Sequence, residues 1–253
     1  MANWDWQVFC KDTIDGEVLA NCWGSGGKDI SYLHWMIEAW GWTVAVSLVG
    51  LAIALVVGSL VGVMRTLPNS PWAVRFGNAW VELFRNIPLL VQVFLWYFVI
   101  PKVLPFMKQL SPFVLVVCAL GFFTSARIAE QVKAGIQALP RGQRYAAMAV
   151  GLTTAQSYRY VILPMAYRII FPPLISESMN VFKNSAVAFA VSIPVLSQFF
   201  LQAAEETAAP GEMFVGVTAL YILSAMAMNR LMTYFEKRLR IPGMVVAGGT
   251  GGH

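Results

Sequence analysis

Apolar residues in this chain gather into long runs, and five of these reach the length a helix needs to cross a bilayer, about 20 residues at 1.5 Å rise each. They extend from about Ala39 to Met64, Phe76 to Ile100, Pro112 to Val132, Met165 to Ala190 and Met213 to Phe235. The fourth is interrupted by Pro172, Pro173, Glu177, Lys183 and Asn184, so hydropathy alone scores it poorly. It is kept because leaving it out puts two flanking loops of opposite charge character on the same side. The pattern predicts an all-α integral membrane protein with about five transmembrane helices.

Composition agrees: of 253 residues, 58% are hydrophobic and 12% charged, against roughly 25% charged in an ordinary soluble domain. A soluble globular domain is excluded, and so is a disordered or collagen-like chain. The net charge of +5 does not form the basic stripe of a nucleic-acid binder, because Lys and Arg lie between the apolar runs; no nucleic-acid partner is expected. Their distribution reads as topology. With the N-terminus outside and the C-terminus cytoplasmic, Arg65, Arg75, Arg85, Lys133, Arg141, Arg144, Arg159, Arg168, Arg230, Lys237, Arg238 and Arg240 fall inside. Only Lys11, Lys28, Lys102 and Lys108 fall outside. This divides the chain into an extracytoplasmic N-terminal segment (1–35), a membrane domain (36–242) and a Gly-rich flexible tail (243–253). The N-terminus has acidic residues and tryptophans without a basic region and apolar core, so no cleavable signal peptide is expected.

The reactive side chains exclude much chemistry. Three cysteines and two distant histidines, with no Cys-x-x-Cys, assemble no zinc or haem site, and no cofactor is expected. Cys118 lies in an apolar run, whereas Cys10 and Cys22 share the hydrophilic N-terminal segment. They can form a disulfide if that segment faces an oxidising compartment, or remain free thiols. No His-Glu-x-x-His or Gly-x-Ser-x-Gly occurs, so no catalytic residue is assigned. The loop Gly24-Ser-Gly-Gly27-Lys28-Asp29 lacks two positions of a phosphate loop, with Cys22 for the leading Gly and Asp29 for the Ser or Thr. Any energy from ATP must come from another polypeptide.

The informative polar residues are those inside spans, where a charge is costly and is paired or faces an aqueous path. Thr124, Arg127, Glu130 and Gln131 fall on one face of the third span, and Ser176, Glu177, Asn180, Lys183 and Asn184 share one arc of the fourth. Either Arg127 pairs with Glu177 or Glu130 and locks the bundle, or these faces line a substrate path. In the first span Gly58 and Gly62 form a small-x-x-x-small pattern, serving helix contact within this chain or with a second one. The basic loop from Lys133 to Arg168 contains a small-residue helix around Ala146, Ala147 and Ala149. Gly151 is expected to end its turn, and Pro164 to stop a second short helix. That helix suits either docking or the membrane surface.

These residues resemble a known family. Tyr145-Ala146-Ala147, then Gly151 and Ile162-Leu163-Pro164, reproduce the spacing of the Glu-Ala-Ala cytoplasmic motif of bacterial ABC-importer permease subunits. The polar amino-acid branch is matched by Glu82-Leu-Phe-Arg85-Asn86-Ile-Pro88-Leu89, Ala126-Arg-Ile-Ala-Glu130, Gly135-Ile-Gln, Pro140-x-Gly142-Gln143, Pro172-Pro173-Leu174 and Lys183-Asn184-Ser185. The set covers about residues 36 to 242, and its nearest pattern is that of the glutamate/aspartate permeases. Two positions depart from it. Tyr145 stands where the motif has Glu, and Arg127 where many relatives have an aromatic residue; a cation there favours a substrate with an additional carboxylate.

The resemblance implies a multi-pass protein of the bacterial inner membrane, with a cytoplasmic coupling helix between spans three and four. It further implies a homologous sister permease, an ATP-binding subunit dimer, an extracytoplasmic solute-binding protein and surrounding membrane lipid. The implied activity is ATP-driven import of glutamate or aspartate. ATP hydrolysis would lie on the separate subunit. The substrate path would use Arg127, Glu130, Asn180, Lys183, Asn184 and Ser185. Tyr145, Ala146, Ala147 and Gly151 would couple to the ATPase, while Glu82, Arg85 and Pro88 would gate or stabilise span two. The alternative is an ion-coupled secondary transporter or channel for a small anionic solute, for which Pro172-Pro173 would mark a broken helix.

Overall fold

The first long helix starts where Ser31 caps it, its hydroxyl accepting a hydrogen bond from the His34 amide at 3.1 Å. This helix, α1 (Tyr32–Met64), is 33 residues long, about 50 Å, so it outreaches a roughly 30 Å hydrocarbon core and extends beyond it. In the computed structural model, residues 4–23 and 30–239 are described. The 24–29 loop and the expected flexible tail, with Lys28 and Arg240, lie outside the described residues.

Five further segments complete the bundle: a bent pair, α5 (Pro112–Gln137), a short helix α6 (Arg141–Ala149), a long discontinuous helix and α10 (Pro210–Leu239). The bent pair replaces the single second span expected from hydropathy. α2 (Pro71–Asn86) stops at Ile87, which is extended (φ −94°, ψ 127°), and the chain resumes as α3 (Leu89–Phe94), a π-helical turn Leu95–Val99 and α4 (Ile100–Val103). The bend is 104°. Pro88 causes it, because its ring drives Ile87 out of the helical region and it has no amide to donate. The carbonyls left open at the break are taken by Gln92, whose buried side-chain amide donates to Phe84 (2.7 Å) and Ile87 (2.9 Å).

The fourth span departs from expectation in the opposite sense. Pro164 does not stop a helix. α7 (Thr154–Ser157) passes through a π-helical turn, Tyr158–Ile162, directly into α8 (Leu163–Asn184). Pro164 follows the π turn, whose wider ladder accommodates a residue that cannot donate. Pro172 and Pro173 also remain within α8. The break comes after the 3-10 segment Ser185–Val191, at left-handed Ser192 (φ 59°), and α9 (Leu196–Thr207) leaves at 57°. Its first amide is satisfied from another element: the Leu196 amide donates to the Thr43 hydroxyl at 2.9 Å.

Among the described residues, α1, α5 and α10 are the three unbroken helices long and apolar enough to span a bilayer; counting each bent pair as one span gives five. Close approaches fix their directions. A Cβ placed on Gly58 would lie 2.7 Å from Ile128 Cβ, and one on Gly62 would lie 2.6 Å from Val132 Cβ. Gly121 meets Ile53 in the same way, at 2.6 Å. Contacts rise together along both helices, so α1 and α5 are parallel. The Gly58 and Gly62 pattern therefore serves contact within this chain. α10 is parallel to α1 as well, since Gly216 abuts Met36 and the Trp40 indole donates to Ser224 at 2.8 Å. α8 runs antiparallel to α5: Gly135 touches Ile170, and Arg127 reaches Glu177.

The N-terminal segment packs where α1 and α10 begin. Its 3-10 turn Trp6–Cys10 is tied by a Cys10–Cys22 disulfide, and Val8 is buried with Tyr32, Met36, Phe199 and Met213. The Lys11 ammonium, bonded to Asp5 at 3.1 Å, holds the Asp5 carboxyl below the usual carboxylate range.

Gly58→Ala and Gly62→Ala are each expected to lower stability by about 1–3 kcal/mol through overpacking. Gly41→Ala, with nothing within 4 Å of the added methyl, should be neutral or stabilising. Thermal unfolding in detergent checks both, and Gly58→Ala matching Gly41→Ala would contradict the close approach.

Candidate functional site

Of the polar stripes of α5 and α8, Arg127 and Glu177 meet across the antiparallel contact, whose centre is apolar. Arg127 Nη1 lies 3.7 Å from Glu177 Oε2. The pairing is one-sided in exposure: 44% of the Arg127 side chain is open against 11% of that of Glu177. Glu177 thus neutralises Arg127 from the protein side and leaves guanidinium donors facing outward, over the Phe123 ring at 5.9 Å. Arg127 ties two helices and offers a cation at the surface.

Along α8, Ser176 and Lys183 are exposed and Asn180 and Asn184 are half-buried, all on the side that carries exposed Pro172 and Pro173. Asn180 lies within one turn of Glu177, and Lys183 is about 9 Å further along the axis. Ser185 is different. It is buried, and its hydroxyl donates to the Phe182 carbonyl at 2.7 Å. Glu130 is also engaged, by Arg65 Nη2 at 2.8 Å. Arg65 in turn donates from Nε to Asn78 at 2.9 Å, so one buried guanidinium joins the end of α1 to the middle of α2 and to α5. The expectations named Glu130 and left out both partners. Arg65 counted only as a topological charge, and nothing in the spacing of Arg65, Asn78 and Glu130 signals that they meet.

Glu82 and Arg85 both lie exposed on α2, and among the described residues no ion pair joins them. Pro88 is the hinge of the 104° bend described above.

α6 is a nine-residue helix that ends at Gly151, left-handed at φ 83°. The Gly151 amide bonds to Met148 (3.0 Å) and the Leu152 amide to Ala147 (3.1 Å), the paired closure that a left-handed glycine permits. Thr153 and Gln156 then cap α7 reciprocally. Tyr145, Ala146, Met148 and Val150 are exposed, whereas Ala147 is buried against the bundle. Among the described residues, the helix leaves an apolar knob exposed.

The sequence profile of the binding-protein-dependent transport system inner membrane component matches residues 54–241. The chain belongs to this family. It is therefore a multi-pass transport subunit of the inner membrane, not an enzyme. This permease is 40% identical over 251 residues to the glutamate/aspartate import permease protein GltJ of Escherichia coli K12, covering 95% of this chain and 97% of that one. It is 35% identical over 200 residues to the probable glutamine ABC transporter permease protein GlnM of Bacillus subtilis, covering 78% and 89%. The crystal structure of an amino acid ABC transporter with histidines superposes with a TM-score of 0.70 at 28% identity, covering 82% of this permease and 95% of that chain.

Glu130→Ala is expected to destabilise the permease by leaving Arg65 buried without its carboxylate. The loss should fall toward the lower end of about 3–5 kcal/mol, since 38% of the Glu130 side chain is open to solvent. Replacing both partners, Arg65→Met with Glu130→Met, should recover much of it. Thermal unfolding of the single and double variants measures the difference, and an unaltered Glu130→Ala protein would rule the tie out.

Proposed function

We propose that this chain is the permease subunit of an ATP-driven importer for acidic amino acids, glutamate and aspartate, and forms the translocation path with a homologous sister permease. The observation that carries the reading is similarity along nearly the whole chain to a glutamate/aspartate permease, combined with an outward-facing guanidinium at Arg127. A neutral amino acid gains little from that cation; a side-chain carboxylate gains a charge-assisted, bidentate hydrogen bond.

The orientation is N-terminus outside and C-terminus cytoplasmic. It is supported by the parallel course of α1, α5 and α10, which brings the basic ends at Arg65, Lys133 and Lys237 to one side. The Cys10–Cys22 disulfide favours an oxidising compartment for the opposite end. Five crossings follow when the bent pair and α8 provide the two returns. The permease domain is 36–242, with 1–35 extracytoplasmic and 243–253 a tail.

The path runs along the open faces of α5 and α8, with Arg127 and Lys183 drawing the carboxylates and Asn180 and Asn184 supplying neutral hydrogen bonds. Glu130 and Ser185 act behind this wall, Glu130 by holding Arg65 and Ser185 by closing the end of α8. Glu82, Arg85 and Pro88 belong to the gate at the bend. α6 is the coupling helix: Tyr145 and Ala146 meet the ATP-binding subunit dimer, Ala147 seats the helix and Gly151 shapes its end. A solute-binding protein delivers substrate on the outer side, and lipid surrounds the assembly; nucleic acid has no role. ATPase closure moves α6, and α8 follows because its helix begins at Thr154, three residues past Gly151.

Arg127→Ala is expected to lower glutamate and aspartate uptake by the reconstituted complex about tenfold or more, the loss of one charge-assisted hydrogen bond. Assembly should be intact and Arg127→Lys should retain part of the activity. Uptake equal to wild type would remove Arg127 from the path. Gly151→Ala forces a side chain into a left-handed position, so co-purification of the ATPase should fall; undiminished recovery would exclude this end of α6 from the contact.

A further inference from the structure

A cavity of about 440 Å³ opens beneath α6, between the ends of α1 and α5 and the π-helical turn before α8. Its lining is unusual in charge. Arg65, Arg141 and Arg144 all contribute to it, and among the described residues no carboxylate does. Glu130 answers Arg65 from outside the cavity, and among the described residues no ion pair engages Arg141 or Arg144. Arg65 is nine-tenths buried, and its Nη1 has no hydrogen-bond partner. α6 begins at Arg141 without a side-chain cap, so its leading amides and the positive end of its dipole add to the same region. Three guanidinium groups around one space repel one another unless an anion lies between them.

The remaining wall selects among anions. Ile136, Leu139 and Ile162 line it with hydrocarbon. A free inorganic ion gains nothing from that surface; an amphiphile with an anionic head does. The cavity also sits where α1 ends, at Arg65, the depth of a phospholipid headgroup if α1 spans the bilayer. Guanidinium forks match phosphate oxygens in pairs, which a lysine cluster does not.

We infer that this cavity binds the phosphodiester headgroup of an anionic phospholipid. The phosphate bridges Arg141 and Arg144 with Arg65 behind, and an acyl chain lies along Ile136, Leu139 and Ile162. The site rests on the reading of α6 as the cytoplasmic coupling helix, and it would make lipid charge a determinant of how firmly that helix is seated.

Native mass spectrometry of the intact complex in mild detergent, with phosphatidylglycerol or phosphatidylcholine added back, tests the site. Wild type should retain phosphatidylglycerol and not phosphatidylcholine. Arg141→Gln with Arg144→Gln should weaken retention about tenfold or more, Arg141→Lys with Arg144→Lys should recover part of it, and the exposed control Arg75→Gln should behave as wild type. Equal retention of phosphatidylglycerol by wild type and the double Gln variant would overturn the assignment, as would equal retention of phosphatidylcholine. Displacement of the lipid by millimolar inorganic phosphate would reassign the cavity to a free anion and also overturn it. The comparison is read on the chain's own mass. Failure to recover an ATPase would undo the functional reading without touching the lipid result.

Discussion

The close approach of α1 to α5 is the constraint on which the other contacts depend. Small residues at Gly58, Gly62 and Gly121 let two backbones come nearer than any side chain allows, and in a bilayer such contact substitutes for a hydrophobic driving force. With α1 held on one face of α5, the adjoining face receives α8 through Gly135 and Ile170, and Ala54, Ile128, Val132, Ala166 and Ile170 from the three helices share one buried cluster. α5 is thereby buried along much of its length and becomes the axis of the subunit. Arg127 escapes this burial because it lies at the edge of the contact with α8.

Polar groups do the finer work, and each is placed where the backbone is interrupted. Lipid offers no hydrogen bonds, so a broken helix is tolerable only if protein groups replace the missing partners. Gln92 does this at the bend after α2, and Thr43 does it for the first amide of α9. Arg65 does something similar at a larger scale by binding Asn78 and Glu130. These engaged groups contrast with exposed Lys183 and the open side of Arg127.

Long apolar runs made the straight helices legible, and Gly58 with Gly62 announced a close contact without naming its partner. The bend at Pro88 was not legible as such, because hydropathy averages over composition while the break depends on one ring acting on Ile87. Pro164 misled in the other direction: proline rules describe a regular α-helical ladder, and here the preceding turn is π-helical. The polar arcs of α5 and α8 were visible from periodicity, as was the possibility of an Arg127–Glu177 pair. The Arg65, Asn78 and Glu130 cluster was not, since it is assembled from three helices and carries no local signature. Ser185 shared the sequence motif of Lys183 and Asn184, yet α8 ends there and its hydroxyl turns back to the backbone.

The N-terminal segment has a bearing on how the protein is made. Its backbone reaches across the chain, with the Asp5 amide donating to Glu212 at 2.8 Å over a separation of 207 residues, and Val8 is buried beside Met213. The surface it docks on does not exist until α10 has been synthesised and inserted. A segment synthesised ahead of α1 is therefore seated only after α10 is in place, and its docking reports that this last described helix has been inserted.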